Sequence, residues 1–181
     1  MWSNSKARPP DIMITLETPR LTLVPLSDEH LLELAQINGD PEVMRYIGSG
    51  LPFSLAESQA MIERVKTRWR EQGYSWWAML RKSDGLMVGG ATLQPEAGVP
   101  GAEMEIGWRL RRDCWGQGYA SEAARRILEY AQARGIRQLI AVAHPDNEAS
   151  TAVMRRIGMQ FRGLETHYNT TCATWEWRAL V

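Results

Sequence analysis

Asp113-Cys114-Trp115-Gly116-Gln117-Gly118-Tyr119-Ala120-Ser121-Glu122 stands between a run that alternates like a strand and a run that repeats like a helix. Two glycines one residue apart at the mouth of a helix leave main-chain N–H groups unshielded, pointing along the positive end of the helix dipole. Such a turn suits an anion. A diphosphate there gains about 0.3–2 kcal/mol from the dipole alone. The same residues also describe a plain strand-to-helix turn, so their neighbours must decide between the two.

Upstream, Glu103 to Leu110 alternates, with Met104, Ile106, Trp108 and Leu110 on one face and Glu103, Glu105, Gly107 and Arg109 on the other. Downstream, Ala120, Ala123, Ala124, Ile127, Leu128 and Ala131 recur with the helical period, and Gly135 stops the helix. Leu139 to Ala143 is a continuous apolar run, as in a strand covered on both faces, and a helix linking it to the Glu103 strand predicts a parallel crossover. His144-Pro145-Asp146-Asn147 ends that strand. Ala149 to Ile157 reads as a short helix closed by Gly158, and two strands follow at Gln160 to Thr166 and Ala173 to Leu180.

Before the turn, Arg20 to Pro25 reads as an edge strand with Leu21 and Leu23 opposite Thr22 and Val24. Ser27-Asp28-Glu29 starts a helix carrying Leu31, Leu32, Leu34 and Ala35; Pro41 to Ile47 is a short helical piece, and Gly48 to Pro52 a loop. Ser54 with Glu57 forms a capping box for a helix running to Gly73, and Lys82-Ser83-Asp84-Gly85 joins two strands as a hairpin. The expectation is one α/β (α+β) domain over residues 18–181, mostly antiparallel with one parallel crossover and about four helices, behind a flexible arm at 1–17.

The 181 residues are 44% hydrophobic and 23% charged, and Lys plus Arg equals Asp plus Glu at 21 each. That balance argues against nucleic acid and anionic membranes as partners, and no apolar run is long enough to span a bilayer or serve as a signal peptide. Cys114 and Cys172 have no metal-ligand or redox spacing, so no metal site is expected and the cytoplasm is the default location. Most of the eight tryptophans are expected in the core or its rim. The sequence leaves monomer and homodimer both open.

Ile106-Gly107-Trp108-Arg109-Leu110, Trp115 through Ala123, and Asn147-Glu148-Ala149-Ser150, in this order, resemble the GNAT N-acetyltransferases, and within them the Rim-type group, from about Thr18 onward. The resemblance implies acetyl-coenzyme A as donor and a splayed central pair of parallel strands. Its diphosphate would lie on the main-chain amides of Trp115, Gly116, Gln117, Gly118, Tyr119 and Ala120. The pantetheine arm would pair with the end of the preceding strand, Trp108 to Leu110, and Asn147 and Ser150 match positions that bind it near the thioester. The acceptor would be a primary amine, on a protein N-terminus or a small molecule, approached by Tyr46 and the loop after it.

Acetylation needs a neutral amine, and an α-amine with pKa near ~7.7–8.0 demands a milder base than a lysine near ~10.4. Glu105 matches a frequent acidic position of the Rim-type group and is the candidate base, with Glu103 as fallback. Charged strand residues mostly face solvent, which is the alternative reading of both. Two departures from the family stand out. Met154 occupies the place of a common thiol-protonating tyrosine, and Asp113, an acid near the diphosphate, must turn away or be offset by Arg111 and Arg112; Arg112 is counted with the cofactor-binding residues. None of His30, His144 and His167 is assigned a catalytic role. Two rivals remain: a dinucleotide-binding module, which lacks the third glycine because Ser121 stands there, and a non-catalytic acyl-coenzyme A or peptide binder of the same fold.

Overall fold

In a computed structural model, which describes residues 14–179, local signals set most element boundaries. The chain runs β1 (Leu16–Glu17), β2 (Leu21–Pro25), α1 (Leu31–Asn38), α2 (Pro41–Met44), α3 (Leu55–Gln72), β3 (Trp76–Arg81) and β4 (Met87–Pro95). It continues as β5 (Met104–Leu110), α4 (Tyr119–Ala133), β6 (Gln138–Ala143), α5 (Glu148–Arg156), β7 (Gln160–His167) and β8 (Thr170–Arg178). The capping box of α3 is present: Ser54 Oγ accepts from Glu57 N–H at 3.2 Å while Glu57 Oε2 accepts from Ser54 N–H at 2.7 Å. Gly73 closes the helix in the left-handed conformation, φ +76°.

The eight strands form one sheet in the order β1-β2-β3-β4-β5-β6-β8-β7. Every neighbouring pair is antiparallel except β5 with β6, which share the single register point Glu105 to Ile140. The crossover helix α4 explains that pairing, because Ala123, Ala124, Ile127 and Ala131 are at most 1% exposed against the core that includes Ile106 and Leu110 of β5. On the opposite face α1 and α3 bury Leu34, Ile37, Met61, Ile62 and Val65 against Ala78 and Met87. Helices therefore cover both faces of the central strands, and Leu139, Ile140 and Ala141 of β6 are almost fully buried.

Three expectations need correction. β2 is not the edge strand, because Leu16 and Glu17 pair outside it with Leu23 and Thr22. The sheet therefore begins before residue 18, where the arm was expected to end; Leu16 is buried and Trp77 Nε1 donates to Ile14 O at 2.8 Å, which ties this segment down. Residues 1–13 of the expected arm, and Leu180 of the last strand, lie outside the described residues. Leu32 is exposed rather than on the packed stripe of α1, which runs through Leu34, Ile37 and the buried Asn38. The alternative reading of the two carboxylates as solvated holds for Glu103, which is exposed, and fails for Glu105, which is buried beside Tyr168 and His167.

Replacing Ile127 with Ala leaves a cavity where α4 meets the sheet, and the expected loss is about 2–5 kcal/mol. Urea denaturation measures it; a loss below 1 kcal/mol would mean that α4 is not the anchor of the crossover.

Candidate active site

The glycine turn adopts the conformation its residues suggest. Gly116 and Gly118 have φ of +72° and +83°, a region that side-chain-bearing residues avoid. The main-chain N–H groups from Gly116 to Ser121 make no hydrogen bond among the described residues, and α4 has no side-chain cap. Six consecutive donors at the positive end of a helix form a cradle for an anion. Residues from outside hold the turn in shape: Arg20 Nη1 donates to Gln117 O at 2.9 Å and its guanidinium lies 4.5 Å over the Tyr119 ring. Glu122 accepts from Thr18 Oγ1 at 2.6 Å and from Arg20 N and Nε at 2.8 and 2.7 Å. Burial works to raise the Glu122 carboxyl, but these hydrogen bonds hold it below its ordinary value.

Past Glu105 and Ile140 the two parallel strands separate, and a cleft of about 1380 Å³ opens between them and the turn. It brings together Trp108, Leu110, Trp115, Gly116, Gln117, Gly118, Tyr119, Ala120, Asn147 and Ser150, along with Tyr46. Asn147 caps α5, its Oδ1 accepting from Ser150 N–H at 3.2 Å, which leaves its Nδ2 for a ligand. Tyr46 stacks on His144 with ring centroids 5.1 Å apart. Arg112 is not on this cleft; its Nε lies 3.5 Å from Asp40 Oδ2, beside a smaller cavity that Asp113 also lines. Asp113 is turned outward onto Arg111, whose hydrogen bonds hold its carboxyl below the ordinary value.

The two candidate bases have opposite surroundings. Glu103 is gripped by Arg162 through two bonds of 2.7 and 2.9 Å, which lower its pKa and remove it as a fallback. Glu105 is 8% exposed. Burial pushes its carboxyl up to about 7, against a hydrogen bond from Tyr168 that pulls it down; Glu96 adds a further upward influence and His167 a downward one. The Tyr168 hydroxyl donates to Glu105 Oε2 and accepts from Ala97 N–H at 3.1 Å. Nearby, the buried His167 bridges Glu96 Oε1 at 2.6 Å and Thr174 Oγ1 at 3.0 Å. Glu105 is absent from the cleft lining because this shell closes over it.

Sequence reading missed Tyr168, and the signal for it is slight. Tyr168 and Asn169 form the two-residue turn between β7 and β8 with φ of +52° and +60°. An aromatic residue in that conformation is uncommon. Met154 is buried in the core and offers no proton to the cleft. Among the described residues no group of three or more His, Cys, Asp or Glu is placed to hold a metal ion, and no helix is long and apolar enough to cross a membrane.

Comparison with known proteins gives one family. The description Acetyltransferase (GNAT) domain matches residues 20–160. The FsC-acetyl coenzyme A-N(2)-transacetylase of Aspergillus fumigatus is 34% identical over 166 residues, covering 86% of this chain and 68% of that protein. An acetyltransferase structure from Agrobacterium tumefaciens str. C58 superposes with a TM-score of 0.79 at 25% identity, over 92% of this chain and 95% of the other. RimJ of Mycobacterium smegmatis, solved in complex with CoA-disulfide, superposes with a TM-score of 0.75 over 93% of this chain and 89% of its own. At 17% identity the latter speaks for the fold alone.

Ionising Glu105 inside its shell costs folding energy. In the unfolded chain it ionises near 4.5 and in the folded protein near 7, so stability present below pH 4.5 falls as pH rises through 7, by about 3 kcal/mol. Glu105→Gln lacks this loss and is expected to be the more stable protein at pH 8 but not at pH 4. Urea denaturation of both proteins at the two pH values measures it; equal differences at both would mean that Glu105 is not raised.

Proposed function

The chain belongs to the acetyltransferase (GNAT) family, and we propose that it moves the acetyl group of acetyl-coenzyme A onto a primary amine by direct attack in a ternary complex. The observation that carries this reading is the row of six unpaired amides beside the opening between β5 and β6. The name of the Aspergillus relative supports the same donor and a nitrogen acceptor. The Rim-type assignment rests on the motifs of the sequence, and the superposition on RimJ adds agreement of the fold.

Acetyl-coenzyme A supplies the acetyl group as a thioester, and the rest of the work falls to this chain. The amides of Gly116 to Ser121 hold the diphosphate, with the α4 dipole behind them. The main chain of Trp108 to Leu110, unpaired on its β6 side, binds the pantetheine amides as an added strand would, and Asn147 Nδ2 and Ser150 fix its end. The acceptor enters past Tyr46.

Bonding then changes at the thioester carbon. The amine nitrogen forms a bond to it, the C–S bond breaks, and the nitrogen's proton passes through water to Glu105, which lies behind the cleft wall. Tyr168, hydrogen-bonded to that carboxylate, positions and tunes it. A carboxyl near 7 matches an α-amine at ~7.7–8.0 better than a lysine at ~10.4. The sulfur departs as a thiolate, tolerable for a group with pKa near ~8.5, since Met154 has no proton to give.

Met154 also favours the second reading, a binder of acyl-coenzyme A without turnover. The Glu105–Tyr168 pair favours the enzyme, because a buried carboxyl tuned towards neutrality is costly to keep without a task. Thiol release from acetyl-coenzyme A across peptides, polyamines and aminoglycosides separates the two; cofactor binding with no product from any amine sinks the enzyme.

On an accepted amine, Glu105→Gln is expected to lower kcat about 10²–10⁴-fold with the Kd for acetyl-coenzyme A held within about twofold. For the native protein kcat/KM falls as pH drops below about 7. Tyr168→Phe removes a bond that lowers the Glu105 pKa, so this limb moves to higher pH. A limb that stays in place, or survives in Glu105→Gln, would assign the proton transfer elsewhere.

A further inference from the structure

On β5 Glu105, Gly107 and Arg109 share one face, which Tyr168 covers at Glu105 and Asn38 of α1 covers at Arg109. Gly107 contributes no side chain, so the floor between the two charged residues is flat. A Cβ there would lie 3.3 Å from the Thr92 methyl on β4. Arg109 stands one strand repeat further along, about 7 Å from Gly107, where the cleft begins.

The guanidinium of Arg109 is held unusually well for a group with no counter-ion among the described residues. Its hydrogen bond among the described residues runs from Nη1 to Asn38 Oδ1. Asn38 is itself fully buried and aimed by its own amide, which donates to Ser58 Oγ at 3.1 Å. Phe53 and Trp76 flank the cation at 5.8 and 5.7 Å. Its Nε is buried with no partner. Burial alone lowers its pKa, to about 10, with no carboxylate contributing. A guanidinium carries five N–H donors, and among the described residues one of them, on Nη1, has a partner.

Orientation by Asn38, aromatic walls and unspent donors at the edge of the cleft make a receptor for an anion. We infer that Arg109 binds a carboxylate of the acceptor, so that the amine acetylated by this protein carries an acid group a few bonds from its reacting nitrogen. This rests on the acetyltransferase reading and names the substrate class of that site. Arginine suits it because a planar fork pairs with a carboxylate through two parallel hydrogen bonds. Gly107 leaves room for the few atoms between the acceptor's amine and its acid. The acid arrives either on a free amino acid or on the first residue of a peptide, and the chemistry at Arg109 is the same.

Matched pairs test this: free amino acids against their carboxamides, and peptides beginning with Asp or Glu against those beginning with Asn or Gln. Thiol release from acetyl-coenzyme A is followed for the native protein, Arg109→Lys and Arg109→Met. For the native protein kcat/KM is expected to favour the acid at least tenfold in one of the two series, and the series that shows it identifies the source. Arg109→Met brings the ratio to within about twofold of one, while Arg109→Lys keeps part of the preference. Equal rates for acid and amide in the native protein overturn the inference, as does a variant that slows both members of a pair by the same factor. Should no amine be acetylated, calorimetry of the same pairs on the coenzyme A-loaded native protein still decides. Tighter binding of the acid by tenfold supports the anion site even though the transfer reading has failed, and equal affinity overturns it.

Discussion

Two parallel strands tied by one helix must part at their ends, and this separation organises the molecule. β5 and β6 meet at Glu105 and Ile140 and then diverge, which leaves main-chain groups of Trp108 to Leu110 without a neighbour on that side. Buried backbone donors and acceptors require partners. The helix that imposes the crossover also starts at the same opening, with its own six amides unspent. An open strand edge and a cradle of unpaired amides thus arise from one connection. The antiparallel remainder of the sheet is continuously paired and supplies rigidity.

The charged residues lie on the opposite face of β5. Glu105 and Arg109 are driven towards their neutral forms by the same burial, one raised to about 7 and the other lowered to about 10. They differ in company. Glu105 sits in a connected shell of Tyr168, Glu96, His167 and Thr174, whereas Arg109 has a single amide and two rings. Glu103, two residues before Glu105 on the same side, is neutralised by Arg162 and drops out. A strand that alternates charged and apolar residues therefore presents three distinct environments along one polar edge.

Sequence reading recovered what is local. The stripe from Ala123 to Ala131, the Ser54–Glu57 box, the Asp84-Gly85 hairpin and the glycine turn each depend on residues within a few positions of one another, and each stands where expected. Most of the cofactor-side residues also converge on one cleft, because they flank a crossover whose geometry is nearly fixed. What distance in sequence conceals is the company each side chain keeps. Arg112 was grouped with the turn by proximity, yet its charge is drawn to Asp40. The alternation of β5 does not tell the exposed Glu103 from the buried Glu105, because the difference lies in the residues that pack on each from afar. Tyr168 was invisible because only the register of the last hairpin decides which residue reaches Glu105.

The partners Glu105 and Tyr168 are separated by 63 residues. As the ribosome makes the chain, β1 to β6 and their helices emerge well before that phenol. Until the closing hairpin docks, the carboxylate has neither Tyr168 nor His167 beside it. The cost of a neutral-leaning acid falls on the final step of assembly, and a nascent chain completes the surroundings of Glu105 only when nearly everything else is in place.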